Sequence, residues 1–90
     1  MGHPAFKRAG ASILEALGQP STLDGDACGK VHLARSVRIE MDNQVISRDV
    51  ATIGNAYLPR KGQALAHPDG DFVLDRKLSD NGTNSRFILR

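Results

Sequence analysis

LPRKGQALAHPDGDFVLDRKLSDNG, residues 58–82, is broken three times, at Pro59–Gly62, His67–Gly70 and Ser79–Gly82. Each break separates short runs in which apolar and polar residues alternate. Pro68-Asp69-Gly70 combines a preset φ, a side chain that can bond its own backbone and a residue free to take positive φ, which is hairpin chemistry. Asn81-Gly82 predicts a second, two-residue hairpin returning into the last strand. Pro59 with Gly62 forms the third corner and leaves Arg60 and Lys61 at its tip. The glycines sit where alternation stops and restarts, so they serve geometry before chemistry.

Working outward, Gln63–Ala66, Asp71–Leu78 and Thr83–Leu89 are the strands between and after these corners, with Phe72, Leu74, Phe87 and Leu89 inward. Upstream, Val31, Leu33, Val37 and Ile39 alternate with polar neighbours and predict a half-buried strand. Met41-Asp42-Asn43-Gln44 interrupts it, and Val45–Tyr57 resumes as one long strand in which Gly54 suggests a bulge or bend. Before all of these, residues 5–17 (AFKRAGASILEAL) place Phe6, Gly10, Ile13 and Leu17 on one helical face, with Pro4 at the start and Gly18 at the end. The expected fold is therefore mainly β. One short N-terminal helix, about residues 5–17, precedes a compact antiparallel barrel or sandwich of five to six strands over about residues 21–90, with Phe6 closing the core over Phe72 and Phe87.

Ninety residues make a single domain. A chain of that size buries only roughly 60 to 65% of its unfolded surface. Three Phe, one Tyr and no Trp are a light apolar content, and Cys28 has no partner for a disulfide. A zinc site would need more Cys, or better-spaced His, than His3, His32 and His67 supply. Support from neighbouring subunits is the expected remedy. The formal charge of +2 and the pI near 9.0 arise from interspersed charges of both signs, unlike the clustered basic and aromatic residues of a dedicated nucleic-acid binder. No apolar run approaches the roughly 20 residues of a membrane-spanning helix, and Phe6 stands where a myristoylation motif needs Ser or Thr. These features predict a soluble protein without a membrane partner, made and used in a reducing cytoplasm.

Candidate chemistry fails residue by residue. Gly25-Asp26-Ala27-Cys28-Gly29-Lys30-Val31 superficially suggests a phosphate-binding loop, but it has three residues between the glycines where the motif has four, and Val31 replaces the Ser or Thr that reaches magnesium. It also leads into a strand instead of a helix N-terminus, so it is expected to be a loop between the first strands that binds no nucleotide. Asp69 and Asp71 flank Gly70 without the rest of a calcium loop. Cys28 is expected to be a small, partly buried thiol. His32 on a polar strand face and His67 at a turn lack a nucleophile or carboxylate at motif spacing. No catalytic, cofactor-binding or metal-binding residue is expected, and no cofactor.

The order of elements nevertheless resembles a known family. A short helix, an extended pair broken at Met41–Gln44, Leu58-Pro59-Arg60-Lys61-Gly62-Gln63-Ala64-Leu65, Gly70-Asp71-Phe72-Val73-Leu74-Asp75, Asp80-Asn81-Gly82 and a terminal Phe87-Ile88-Leu89-Arg90 resemble the small lambda-like head-tail joining, or head-completion, proteins of tailed phages. The resemblance covers about residues 5–90 and rests on turns and apolar positions, without a catalytic box. It implies a structural virion protein of the neck, made in the bacterial host cytoplasm. Such a subunit forms a ring, hexameric in expectation, with portal and adaptor proteins on the head side and tail terminator or tail tube on the tail side. Genome DNA would pass through its lumen without sequence-specific binding. Met41, Asp42, Asn43, Gln44, Arg60 and Lys61 are the candidate interface residues. Another neck or tail ring, such as a tail terminator, is the nearest alternative; a small β-barrel nucleic-acid-binding module is the alternative from a different class.

Overall fold

The computed structural model describes residues 18–90; the helix expected over residues 5–17, with Phe6, lies outside the described residues. Six antiparallel strands follow one another as β1 (Gln19–Leu23), β2 (Asp26–Met41), β3 (Gln44–Gly54), β4 (Ala64–His67), β5 (Gly70–Asp80) and β6 (Asn84–Leu89), with a single 3-10 turn at Asn55–Tyr57. Their pairings run β1-β2-β3-β6-β5-β4, and β4 returns to β1, so the sheet closes into a ring. The mainly β class and the count of six strands agree with the sequence reading.

Closure depends on the first turn. Asp24 and Gly25 both have positive φ, 51° and 87°, the two-residue geometry whose twist matches that of the flanking strands. The Asp24 N–H donates to the Ala64 carbonyl, and Asp24 Oδ1 accepts the Ala64 N–H, each at 2.8 Å. The β1–β2 turn is thereby tied to the start of β4, where the ring closes. This corrects the expectation of a loop over residues 25–31. Only Asp24 and Gly25 form the turn, and Asp26–Lys30 already belong to β2. Gly29 lies inside that strand with φ +69°, and a Cβ there would stand 2.8 Å from Tyr57 Oη.

The core inside the ring is built from one face of each strand. Val31, Ala51, Ile53 and Leu74 are wholly inaccessible, joined by Leu65, Phe87, Leu23, Cys28 and Leu89. Leu33 and Phe72 pack against this core and are partly exposed. Phe87, Leu74 and Leu89 therefore point inward as alternation requires, while Phe72 sits at the margin with the Arg35 guanidinium 5.7 Å from its ring centre.

In β2 the single alternating stripe does not hold. Leu33 opposes Ala51 and Ala34 opposes Val50, but the next pair is Val37 with Arg48, so β2 carries one residue more than β3 across this step. The extra residue lies at Arg35-Ser36, where Ser36 has φ 52°. Asp49 fills the gap, accepting the Ser36 N–H at 3.1 Å on Oδ1 and pairing with Arg35 at 3.4 Å through Oδ2. A one-residue insertion moves all later side chains to the other face. Val37 and Ile39 thus leave the inner core and join Val50, Ile88, Ile46, Met41 and Leu78 in a second apolar cluster. Val50 and Ile88 alternate with the core residues Ala51 and Phe87, so this cluster lies on the outer face of the ring.

Other boundaries shift by one or a few residues. β3 ends at Gly54, which is extended at φ −63°, and the 3-10 turn replaces the strand expected to reach Tyr57; no bulge occurs at Gly54. The Asn55 N–H still bonds to the Thr83 carbonyl at 2.8 Å, one rung beyond the Gly54–Asn84 pair, and the chain then tightens into the 3-10 turn closed by the Leu58 N–H on the Asn55 carbonyl at 3.0 Å. Met41–Gln44 is a tight hairpin, not a four-residue polar loop: Met41 pairs with Gln44 across Asp42 and Asn43, both at positive φ. The last reversal falls on Gly82 and Thr83, one residue later than expected. The Asn81 N–H bonds to the Asn84 carbonyl at 3.1 Å, while Asn81 Oδ1 takes the Thr83 and Asn84 N–H groups.

Two substitutions separate the two clusters. Phe87→Ala empties the centre of the inner core and should cost about 3 to 5 kcal/mol, enough to abolish a cooperative urea transition in a domain of marginal stability. Asp49→Ala removes only the clamp on the bulge and should cost about 1 kcal/mol. Hydrogen exchange should then show faster opening of residues 37–48 while the β1–β4 pairing keeps its protection.

Candidate functional site

The six residues expected at an interface occupy two turns. Asp42 and Asn43 form the exposed tip of the β2–β3 hairpin, with Met41 and Gln44 as the pair beneath them. Arg60 and Lys61 lie in the turn before β4, closed by a Gln63 N–H bond to the Arg60 carbonyl at 3.2 Å. Gly62, at φ +93°, takes the left-handed position of that turn, and Gln63 Oε1 accepts the Arg60 N–H at 2.6 Å. Pro59 is buried, and the two cations that follow it are exposed. Both turns reach β5: Arg76 donates to Met41 Sδ at 3.3 Å, and Arg60 lines an open cleft with Lys77, Asp80, Asn55, Leu58 and Pro59.

The hairpin is an extension of the ring. β2 pairs with β1 only as far as Val31, and β3 pairs with β6 only from Val50 onward. Val37–Met41 and Gln44–Arg48 consequently pair only with each other among the described residues. Among the described residues each strand of this ribbon leaves one edge of backbone donors and acceptors unpaired, a template for further pairing. One ribbon face is the apolar stripe that packs on the outer cluster; the other carries Arg38, Glu40, Ser47 and the 53% exposed Val45.

The cleft is floored by a polar node that the sequence reading missed. Asp80 Oδ1 accepts the Gly82 N–H and the Asn55 Nδ2–H, both at 2.8 Å, and Lys77 Nζ donates to Oδ2 at 3.3 Å. The buried Ser85 hydroxyl in turn donates to Asn55 Oδ1. The backbone bond from Gly82, then the bonds from Asn55 and Lys77, lower the Asp80 carboxyl from its ordinary 3.8 to about 2. Asp80-Asn81-Gly82 was legible as a turn. That its carboxylate would meet Asn55, 25 residues away, was not. Beside the node, Leu58 is 74% exposed with φ 49°, a left-handed conformation uncommon for a residue with a Cβ. Tyr57 is half exposed next to it.

The remaining reactive groups are built into the fold. Cys28 is buried in the core, and burial pushes its thiol above the usual range, against a smaller opposing effect from a backbone hydrogen bond. His67 does not project from its turn. Its ring is buried, with Nε2 3.2 Å from the Val31 carbonyl and Nδ1 receiving the Asp69 N–H at 3.0 Å. Those partners define the neutral tautomer with the proton on Nε2, which braces the Pro68-Asp69 hairpin. His32 is half-buried on β2, and Asp69 and Asp71 are exposed. Among the described residues no group of three His, Cys, Asp or Glu side chains converges on a common point, and no helix is long and apolar enough to cross a membrane. No family model and no curated protein matches the chain.

The Asp80 node carries a pH signature. A carboxyl whose folded pKa is depressed contributes stability that is fully present above the unfolded value and lost as pH falls through the folded one. The contribution of Asp80 should therefore vanish between about pH 4 and the folded value of about 2. Asp80→Asn should flatten that part of the stability profile and leave the neutral-to-alkaline part parallel to the parent, as read from urea midpoints across the acid range.

Proposed function

We propose that this chain is a structural subunit of a phage neck, forming a ring that joins the DNA-filled head to the tail. The observation that carries this reading is the ribbon at residues 37–48, in which an otherwise closed sheet keeps two strand edges of opposite direction that have no partner among the described residues. A closed sheet cannot extend itself, but this ribbon can. When copies are related by rotation about a common axis, β3 of one ribbon lies antiparallel to β2 of the next. The contact is heterologous, using two different patches per subunit, and such contacts close into rings. Ile46 and Ile39 on the shared apolar face would continue the stripe from copy to copy. The order of turns that resembles head-tail joining proteins supports the same reading.

In this role Asp42 and Asn43 at the ribbon tip, with the flanking Met41 and Gln44, and the Arg60–Lys61 turn are the surfaces offered to the portal or adaptor on one side and to the tail on the other. Arg60 and Lys61 meet acidic groups without disturbing the fold, because Pro59, Gly62 and Gln63 set their backbone. A structural role without catalysis is supported by the burial of Cys28, whose thiol is pushed up, and by the commitment of His67 to structural bonds. Energy for joining comes from burial between rings, and several copies binding together add avidity to weak single contacts.

Electron microscopy of lysates lacking the gene tests this. The expected picture is heads, filled or leaking DNA, beside complete free tails, with joined particles restored by adding purified protein without ATP. Joined virions in the absence of the protein, or missing tails, would refute the role. Arg60→Glu combined with Lys61→Glu should leave the urea transition of the monomer unchanged and reduce restoration markedly, since like charges across an interface cost several kcal/mol.

A further inference from the structure

The turn between β5 and β6 holds the one Asn-Gly sequence in the chain, at Asn81-Gly82. That dipeptide is the most prone of all to lose ammonia spontaneously, because glycine places no side chain in the way of the cyclisation. The Gly82 backbone nitrogen gives up its proton and attacks Cγ of Asn81. The new N–Cγ bond closes a five-membered imide as the side-chain nitrogen leaves with a proton as ammonia. Water then opens either imide carbonyl, giving aspartate or, with the backbone rerouted through Cγ, isoaspartate. The net reaction consumes one water and releases one ammonia, and needs no oxidant or cofactor.

We infer that Asn81-Gly82 is a latent deamidation site that the folded turn holds unreactive, with Asp80 as the residue that holds it. Both reacting groups are occupied. The Gly82 N–H is bonded to Asp80 Oδ1 at 2.8 Å, and Asn81 Oδ1 is fixed by the Thr83 N–H at 2.9 Å and the Asn84 N–H at 2.8 Å. An anionic carboxylate against the Gly82 amide opposes the negative charge that must develop on that nitrogen before it can attack. The same carboxylate is too weak a base to take the proton itself, since its three hydrogen-bond donors stabilise it in the ionised form. Asn55 and Lys77 hold Asp80 in place, so protection extends from the turn to the cleft.

The reaction leaves a permanent mark. Isoaspartate at residue 81 inserts an extra main-chain carbon three residues before the buried positions of β6 begin at Asn84, so the turn cannot re-form in register. Local opening thus becomes irreversible at one defined bond, independently of what the protein joins or binds.

The test is peptide mapping of residue 81 after incubation at mildly alkaline pH, comparing folded protein with protein held unfolded in urea. Conversion to aspartate and isoaspartate should be rapid in urea and slower in the folded state by on the order of tenfold or more, because the reaction then draws only on the opened population. Equal rates would overturn the inference. Asp80→Asn keeps an oxygen acceptor but removes the charge, and in the folded state, verified by circular dichroism, it should deamidate several-fold faster than the parent. If Asp80→Asn is slower or unchanged, Asp80 is either the base for the reaction or a bystander, and its protective role is refuted. Should that variant not fold, Asn55→Ala, which loosens the carboxylate from the other side, should raise the rate in the same direction, and an unchanged rate would refute the role equally. Asn81→Asp, which retains the Oδ1 acceptor, should abolish ammonia release at this position and fold normally.

Discussion

The architecture depends on one residue of surplus. At Arg35-Ser36, β2 carries one more residue than its partner, and the Asp49 carboxylate spans the gap by accepting the Ser36 N–H and pairing with Arg35. Without that surplus the stretch from Val31 to Met41 would keep one alternating stripe and direct Val31, Leu33, Val37 and Ile39 to one side. With it, Val31 and Leu33 fill the interior while Val37 and Ile39 cover the outer face. A small ring of strands thereby gains a second cluster of apolar residues outside its wall, and the ribbon is held by packing as well as by hydrogen bonds.

The two ends of the chain of pairings are secured by carboxylates in an analogous way. Asp24 ties the first hairpin to β4, where the ring closes. Asp80 ties the last hairpin to Asn55 at the end of β3. In each case a turn residue bonds across to an element distant in sequence, satisfying backbone or amide groups that a strand end would leave unpaired. The bonds are short and partly exposed, so their value lies in setting register more than in raw stability. Buried apolar area supplies most of the stabilisation, centred on Phe87 and the wholly inaccessible Val31, Ile53 and Leu74.

This division of labour is compatible with the proposed assembly. The interior is closed and contains the thiol and His67, while the exposed features are a ribbon with unpaired edges, a cationic turn and a patch at Tyr57 and Leu58. An unpaired edge on a free monomer invites promiscuous pairing. Arg38, Glu40 and Arg48 are exposed along this ribbon, and charged side chains on an edge strand disfavour such pairing. A ring formed by successive ribbons would use those same edges and leave none open.

Much of this was legible along the chain. Turn residues at Pro59–Gly62 and Pro68–Gly70 located β4 and β5, alternation placed Leu74, Phe87 and Leu89 inward, and a mainly β domain of five to six strands followed from local propensity. These features depend on the nearest neighbours in sequence, where a proline's fixed φ, a glycine's free φ and the period of two act. The Asp24-Gly25 hairpin was equally legible but was obscured by the likeness of residues 25–31 to a phosphate-binding loop. Other features lay beyond any local reading. The face taken by Val37 and Ile39 depends on how many residues of β3 stand opposite them. Ring closure depends on Asp24 meeting Ala64, 40 residues away. The depressed Asp80 carboxyl depends on Asn55, and the burial of His67 on the Val31 carbonyl. Register and closure are counts made between strands, so only the tertiary structure decides them, whereas the turns and the strand period are properties of the chain itself.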